Sequence, residues 1–275
     1  MTRVEVQRLP RPAIGVSRHY TRGRVSIESF DRGSGIPLVL LPGLGRSVSD
    51  FNELVLRLNT KGVRTIAIQL RGIGGSTGPL RPPPTLVDFA DDAAFVVRSL
   101  EGLSDRRVQV LGRAFGNRIA RTLAARYPDL VHGLVLCAAG GKVKPPASLL
   151  WKYAFFGSRW MPRPVRARAM ESVLCAPGNR MPEFLAYASP LSALLRQVPA
   201  ARRSRLSDWW HGGEAPMLVL QGEHDQIAPP SNAMALAEEY PDRVRVVMIP
   251  DAGHELIHEQ PDLLCELILS RILGA

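Results

Sequence analysis

The segment Gly112-Arg113-Ala114-Phe115-Gly116 constrains the fold of this chain more than any other. It separates a short apolar run at 107–111, read as a strand, from 117–127, read as a helix. A strand that enters a helix through so few residues must turn sharply, and small residues on either side let the two backbones approach closely. This is the frame of a nucleophile elbow, G-x-S-x-G, in which a strained serine stands clear of the sheet. The central residue here is Ala114, so the frame carries a methyl group in place of the attacking oxygen.

The rest of the chain supplies a setting for such a turn. Apolar runs read as strands at 37–41, 64–68, 134–137, 217–221 and 244–249, and helical patterns fall at 50–58, 86–100, 231–240 and 261–273. That alternation predicts an α/β fold, a mostly parallel sheet with helices on both faces. The strand at 37–41 opens into the glycine-bearing loop Pro42-Gly43-Leu44-Gly45-Arg46-Ser47, and the strand at 64–68 into Arg71-Gly72-Ile73-Gly74-Gly75-Ser76. The first loop lacks the third glycine of a dinucleotide-binding turn, and the second lacks the lysine of a P-loop. After Gly140-Gly141 the alternation stops, and 141–213 is broken by Pro145, Pro146, Pro162, Pro164, Pro177, Pro182, Pro190 and Pro199. So many breakers fit several short helices lying over a site. The expected organisation is a core formed by 1–140 and 214–275, with 141–213 as a helical cap insertion.

Composition enters through the distribution of charge. The net charge is +10, but 141–213 holds 12 of the 35 Lys and Arg and only 3 of the 25 Asp and Glu, which leaves the remainder nearly neutral. The same segment contains Trp151, Trp160, Trp209 and Trp210, all four tryptophans of the chain. Aromatic side chains beside arginines suit a small, partly apolar substrate bearing an anionic group, with these tryptophans as binding residues. Equally open are an internal core for the insertion, a homodimer interface, or attraction to anionic lipid. No nucleic-acid motif accompanies the charge, so nucleic acid is not expected as a partner. No run of about 18 apolar residues predicts an integral membrane segment. Arg3, Glu5, Arg8 and Arg11 replace a signal core, and a cytoplasmic location is expected. Cys137, Cys175 and Cys265 are odd in number and show no metal-ligand spacing, so they read as core, with no metal or organic cofactor implied.

Three loops after strands carry the candidate chemistry, in the order Ala114, Asp225, His254. Asp225 lies in Gln221-Gly222-Glu223-His224-Asp225 and His254 in Asp251-Ala252-Gly253-His254. In this order the aspartate would orient the imidazole, and the imidazole would move protons. The backbone N–H groups of Leu44 and Phe115 would form an oxyanion hole. Ser47, Ser49 and Ser76 stand nearby but read as capping or backbone-bonding hydroxyls, and Cys137 as core.

These motifs, with Glu259-Gln260-Pro261 after His254, resemble the α/β-hydrolase fold superfamily from about residue 24 onward. The chain is also similar to a bacterial group whose elbow reads Gly-His-Ala-Phe-Gly-Asn, with Arg113 standing where that group has His. The resemblance implies hydrolase or lyase-like chemistry on a small molecule. Three functional readings remain open at this point. One is an enzyme that uses the His254–Asp225 pair without a serine. The second is an ester or carbon–carbon hydrolase inactivated by Ala114, and the third a ligand-binding protein with no reaction.

Overall fold

The computed structural model describes residues 13–103, 107–149, 162–187 and 189–274. An eight-stranded sheet forms the centre, ordered β1-β2-β4-β3-β5-β6-β7-β8. β1 (Val16–Arg22) and β2 (Val25–Arg32) make an antiparallel hairpin, and β2 also pairs antiparallel with β4 (Val63–Ile68). From β4 onward, β3 (Ile36–Leu41), β5 (Val108–Arg113), β6 (Val131–Cys137), β7 (Met217–Gly222) and β8 (Val244–Ile249) run parallel.

Alternation along the strands explains the layers. Val39 and Leu41 enter the hydrophobic cluster on one face, with α2 (Leu86–Arg98) and α3 (Phe115–Arg126). Leu38 and Leu40 enter the opposite cluster, against α1 (Asn52–Asn59) and the C-terminal helix Pro261–Leu273. Consecutive residues of a strand face opposite sides, so a strand buried on both faces reads as one apolar run. The hairpin strand β1 has no such run. Its residues are exposed except the half-buried Tyr20, and the sequence reading accordingly found no strand there.

Between β6 and β7 the chain passes through α4 (Arg163–Leu174), a 3-10 turn at Glu183–Leu185 and α5 (Leu191–Arg203). Leu149, Met170, Val173, Leu174, Cys175, Met181, Leu185 and Ala186 form a cluster separate from the two core layers. After β7 come α6 (Ser231–Glu239), β8, a single turn α7 (Leu256–Glu259) and α8 (Pro261–Leu273). Among the described residues, no helix is long and apolar enough to cross a membrane.

The sheet order decides where a site can form. β3 has β4 on one side and β5 on the other, so the chain reverses direction across the sheet at β3. The helices after β3 and β5 therefore lie on opposite faces, and the carboxyl ends of these two strands are where a site can form.

Candidate active site

Ala114 is the single residue between the end of β5 and the start of α3, with φ 49° and ψ −108°. Its N–H donates to Cys137 O at 3.0 Å, and its carbonyl accepts the Asn117 N–H at 3.1 Å. The Asn117 side chain donates to Cys137 O at 2.7 Å and to Ala138 O at 3.1 Å, tying the turn to the end of β6. A Cβ on Gly112 would lie 2.5 Å from Gly116 O, and one on Gly116 would collide with Leu41 O. Glycine at both places is thus a steric requirement of the elbow. A positive φ costs alanine about 1–2 kcal/mol, so the surrounding bonds hold position 114 against its own preference.

The histidine loop is supported from several directions. His254 Nδ1 lies 3.1 and 3.0 Å from Asp225 Oδ1 and Oδ2, with His254 7% and Asp225 2% exposed. Asp225 also accepts the N–H groups of Ile227 and Ala228 at 2.9 and 2.8 Å, and the Gln221 amide at 3.0 Å. A carboxylate with its lone pairs so occupied holds one orientation and fixes the tautomer of the imidazole it faces. Glu259 receives the Gly253 N–H at 2.8 Å and the Ala176 N–H at 2.6 Å. The motif that follows His254 therefore anchors the loop carrying it.

The loop after β3 lies against the elbow, since a Cβ built on Gly43 would be 3.6 Å from Ala114 Cβ. Segments between β6 and β7 hold this loop. Gln197 Oε1 accepts the Gly45 N–H at 2.7 Å, Tyr187 Oη accepts the Ser47 N–H at 2.6 Å, and Arg46 donates to Leu185 O at 2.9 Å. On the histidine side, the His254 N–H donates to Leu174 O at 2.6 Å. Phe115, the first residue of α3, packs edge-on against Phe89 with ring centroids 5.8 Å apart. N–H groups in a first helical turn have no partner within the helix, which suits them to face a developing negative charge.

Two buried ion pairs surround the elbow. Arg113 Nη2 lies 2.5 Å from Glu255 Oε1, both side chains 3% exposed, and Arg46 Nε lies 2.7 Å from Asp50 Oδ2. Burial works to raise the Glu255 pKa, but the charges of Arg113 and Arg46 outweigh it and hold the carboxyl at about 2. Burial lowers the pKa of His258, whose ring meets Phe184 edge-on at 5.7 Å.

Among the described residues, Ser47, Ser76 and Cys137 do not take the place of a serine at 114. Ser47 Oγ accepts the Ser49 N–H at the head of a 3-10 turn, and Ser76 Oγ bridges the Glu28 N–H and Gln69 O. Burial pushes the Cys137 thiol up to about 12.

The structure thus brings Asp225 and His254 into contact and sets the Leu44 loop and Phe115 beside Ala114. It places Trp209 and Trp210 elsewhere. Trp209 and Trp210 are 2% and 4% exposed within the core layer, where both rings pack against the Arg121 guanidinium at 4.6 and 5.1 Å, and Trp210 donates to Glu239 at 2.9 Å. Substrate contact had been expected of them; their surroundings are those of core residues. Trp151 and Trp160 lie outside the described residues. Sequence reasoning missed Glu255, Gln221 and Gln197. The first two adjoin recognised motif residues, but nothing in the sequence marks Gln197.

The family model described as "Serine aminopeptidase, S33" matches residues 37–261. 2-(Acetamidomethylene)succinate hydrolase of Mesorhizobium japonicum is 26% identical over 94% of this chain and 95% of its own length. 2-Hydroxymuconate semialdehyde hydrolase of Pseudomonas sp. (strain CF600) is 26% identical over 89% of each chain. The structure of a thermophilic esterase from Thermogutta terrifontis, with malate bound, superposes with a TM-score of 0.74 and 27% identity, over 94% of this chain and 99% of that one. The matched span includes the loop after β3, the elbow, Asp225 and His254, and the chain belongs to the serine aminopeptidase S33 family of α/β-hydrolase-fold proteins.

Proposed function

We propose that this protein is an enzyme that uses His254, oriented by Asp225, as a general base without a covalent nucleophile. The observation that carries this reading is the intact, buried His254–Asp225 contact at 3.0 Å beside an elbow with no hydroxyl. His254 would draw a proton from water, or directly from an acidic substrate position. When water is the nucleophile, its oxygen bonds to the substrate carbonyl carbon and the carbonyl oxygen becomes an oxyanion facing the Leu44 and Phe115 N–H groups. Collapse re-forms the carbonyl and expels the leaving group, which takes its proton from the imidazolium.

We assign a small, partly apolar and anionic substrate to the site. Relatives named for a succinate derivative and a muconate semialdehyde, both carboxylate-bearing molecules, support that choice. Arg46 and Arg113 are already paired with carboxylates, so the cation that meets the substrate belongs to the segment between β6 and β7. We read 141–213 as a cap over the site, supported by the bonds from Gln197, Tyr187, Leu185 and Leu174 to the two active-site loops.

One observation favours a second reading, a serine hydrolase disabled at position 114. Ala114 retains φ 49° although a methyl group gains nothing from the strain. Loss of a triad nucleophile costs about 10⁶-fold in turnover. Ala114→Ser separates the readings when assayed on short aryl esters together with labelling by a fluorophosphonate. Labelling and a gain of several decades show an acyl-transfer site lacking only its nucleophile. Unchanged activity without labelling shows a pocket arranged for other chemistry and removes the oxyanion-hole assignment.

A further inference from the structure

Arg113 is one residue before Ala114, and Glu255 is one residue after His254. Their side chains meet at 2.5 Å in the interior, so the elbow and the histidine loop are joined by a direct ion pair. Neither group has another use that accounts for it. Glu255 precedes α7 but makes no side-chain cap to that helix, and Arg113 is 3% exposed. A Cβ on Gly43 would lie 3.7 Å from Arg113 Nη1, so the guanidinium also underlies the loop after β3. The surrounding charged and titratable groups are Arg46 and Asp50 after β3, His258 of α7, His254, and the thiols of Cys137 and Cys175. Burying two charges is costly compared with apolar residues of similar size, so such a pair is a poor choice for stability alone. It is a good choice for setting one loop against another, because a desolvated guanidinium–carboxylate contact tolerates little displacement.

We propose that Arg113 and Glu255 are positioning residues that fix His254 relative to position 114. The pair acts through His254 and not on substrate, and the inference rests on the proposed role of that histidine. Movement of Glu255 carries the adjacent His254 with it, away from Asp225 or relative to the elbow.

The test uses the full chain with Arg113→Met and Glu255→Met together, which replaces both charges by unbranched apolar side chains and leaves neither partner as a lone buried charge. Two signals are read: the downfield proton resonance of the His254 Nδ1–H bonded to Asp225, and the rate of fluorophosphonate labelling in the Ala114→Ser background. The expected result is a folded protein whose resonance broadens or moves and whose labelling slows by about tenfold or more, the scale of effect that small misplacements produce. A sharp, unmoved resonance with labelling within about twofold of the parent rate overturns the proposal. If Ala114→Ser is not labelled at all, acyl transfer at this site is refuted, and the resonance alone still decides whether the pair positions His254. If the double variant does not fold, Glu255→Asp keeps the charge and shortens the reach by one methylene. The same two signals then decide: displaced and slowed in support, unchanged against.

Discussion

The elbow and the histidine loop meet through the Arg113–Glu255 ion pair but are built on opposite terms. At the elbow, Ala114 is held at φ 49° by backbone bonds and by glycines that leave no room for a Cβ, yet its own side chain contributes no reacting group. At the histidine loop the side chains make the structure: Asp225 is held by three donors besides His254, and Glu259 secures the backbone of Gly253. One region keeps geometry without a reacting side chain, and the other keeps a buried His–Asp contact. The proposed function puts the remaining reactivity in His254 and makes the elbow its scaffold.

Asp225→Asn attacks the functional side of this contrast and should have the largest effect. In the Ala114→Ser background, loss of the carboxylate leaves the imidazole free to take the wrong tautomer, and ester hydrolysis should fall by about 10⁴-fold. Steady-state kinetics would show it, and a loss below about tenfold would mean that Asp225 does not orient His254.

The link between the two regions should fail in acid. Glu255 has a folded-state pKa near 2 against an ordinary value of 4.5, so it binds its proton less readily when folded. The part of the stability that depends on its ionisation is fully present above pH 4.5 and is lost as the pH falls toward 2. Denaturant unfolding across that interval should show this slope, and the Arg113→Met, Glu255→Met chain should lack that part of it. Equal slopes would mean that the pair carries no linkage.

The smallest effect belongs to the elbow alone. Ala114→Gly relieves the positive φ and should stabilise the chain by about 1 kcal/mol, seen as a Tm higher by roughly 2–4 °C. A lower Tm would show that Ala114 is not strained.

Much of this architecture is legible in the sequence because its strands are buried on both faces. Residues 37–41 and 217–221 read as apolar runs and appear as β3, Ile36–Leu41, and β7, Met217–Gly222. The hairpin of β1 and β2 is not legible, since β1 has no buried face to impose a period. His254 and Asp225 are legible as a pair because each follows a strand within a recognisable motif, and the structure brings them into contact. Glu255 is not, because its role depends on a partner 142 positions away that only the folded chain brings near. Trp209 and Trp210 drew a binding assignment from composition, whereas their rings pack against Arg121, whose pKa burial lowers to about 9.

The most direct measurement compares the unmodified chain with His254→Gln on carboxylate-bearing esters and enolisable ketones, following product formation at constant protein concentration. The account predicts turnover by the unmodified chain that falls by about 10²–10⁴-fold in His254→Gln, while thermal unfolding is little changed. Equal rates for the two proteins, or a substrate that binds the unmodified chain and is never converted, would contradict it.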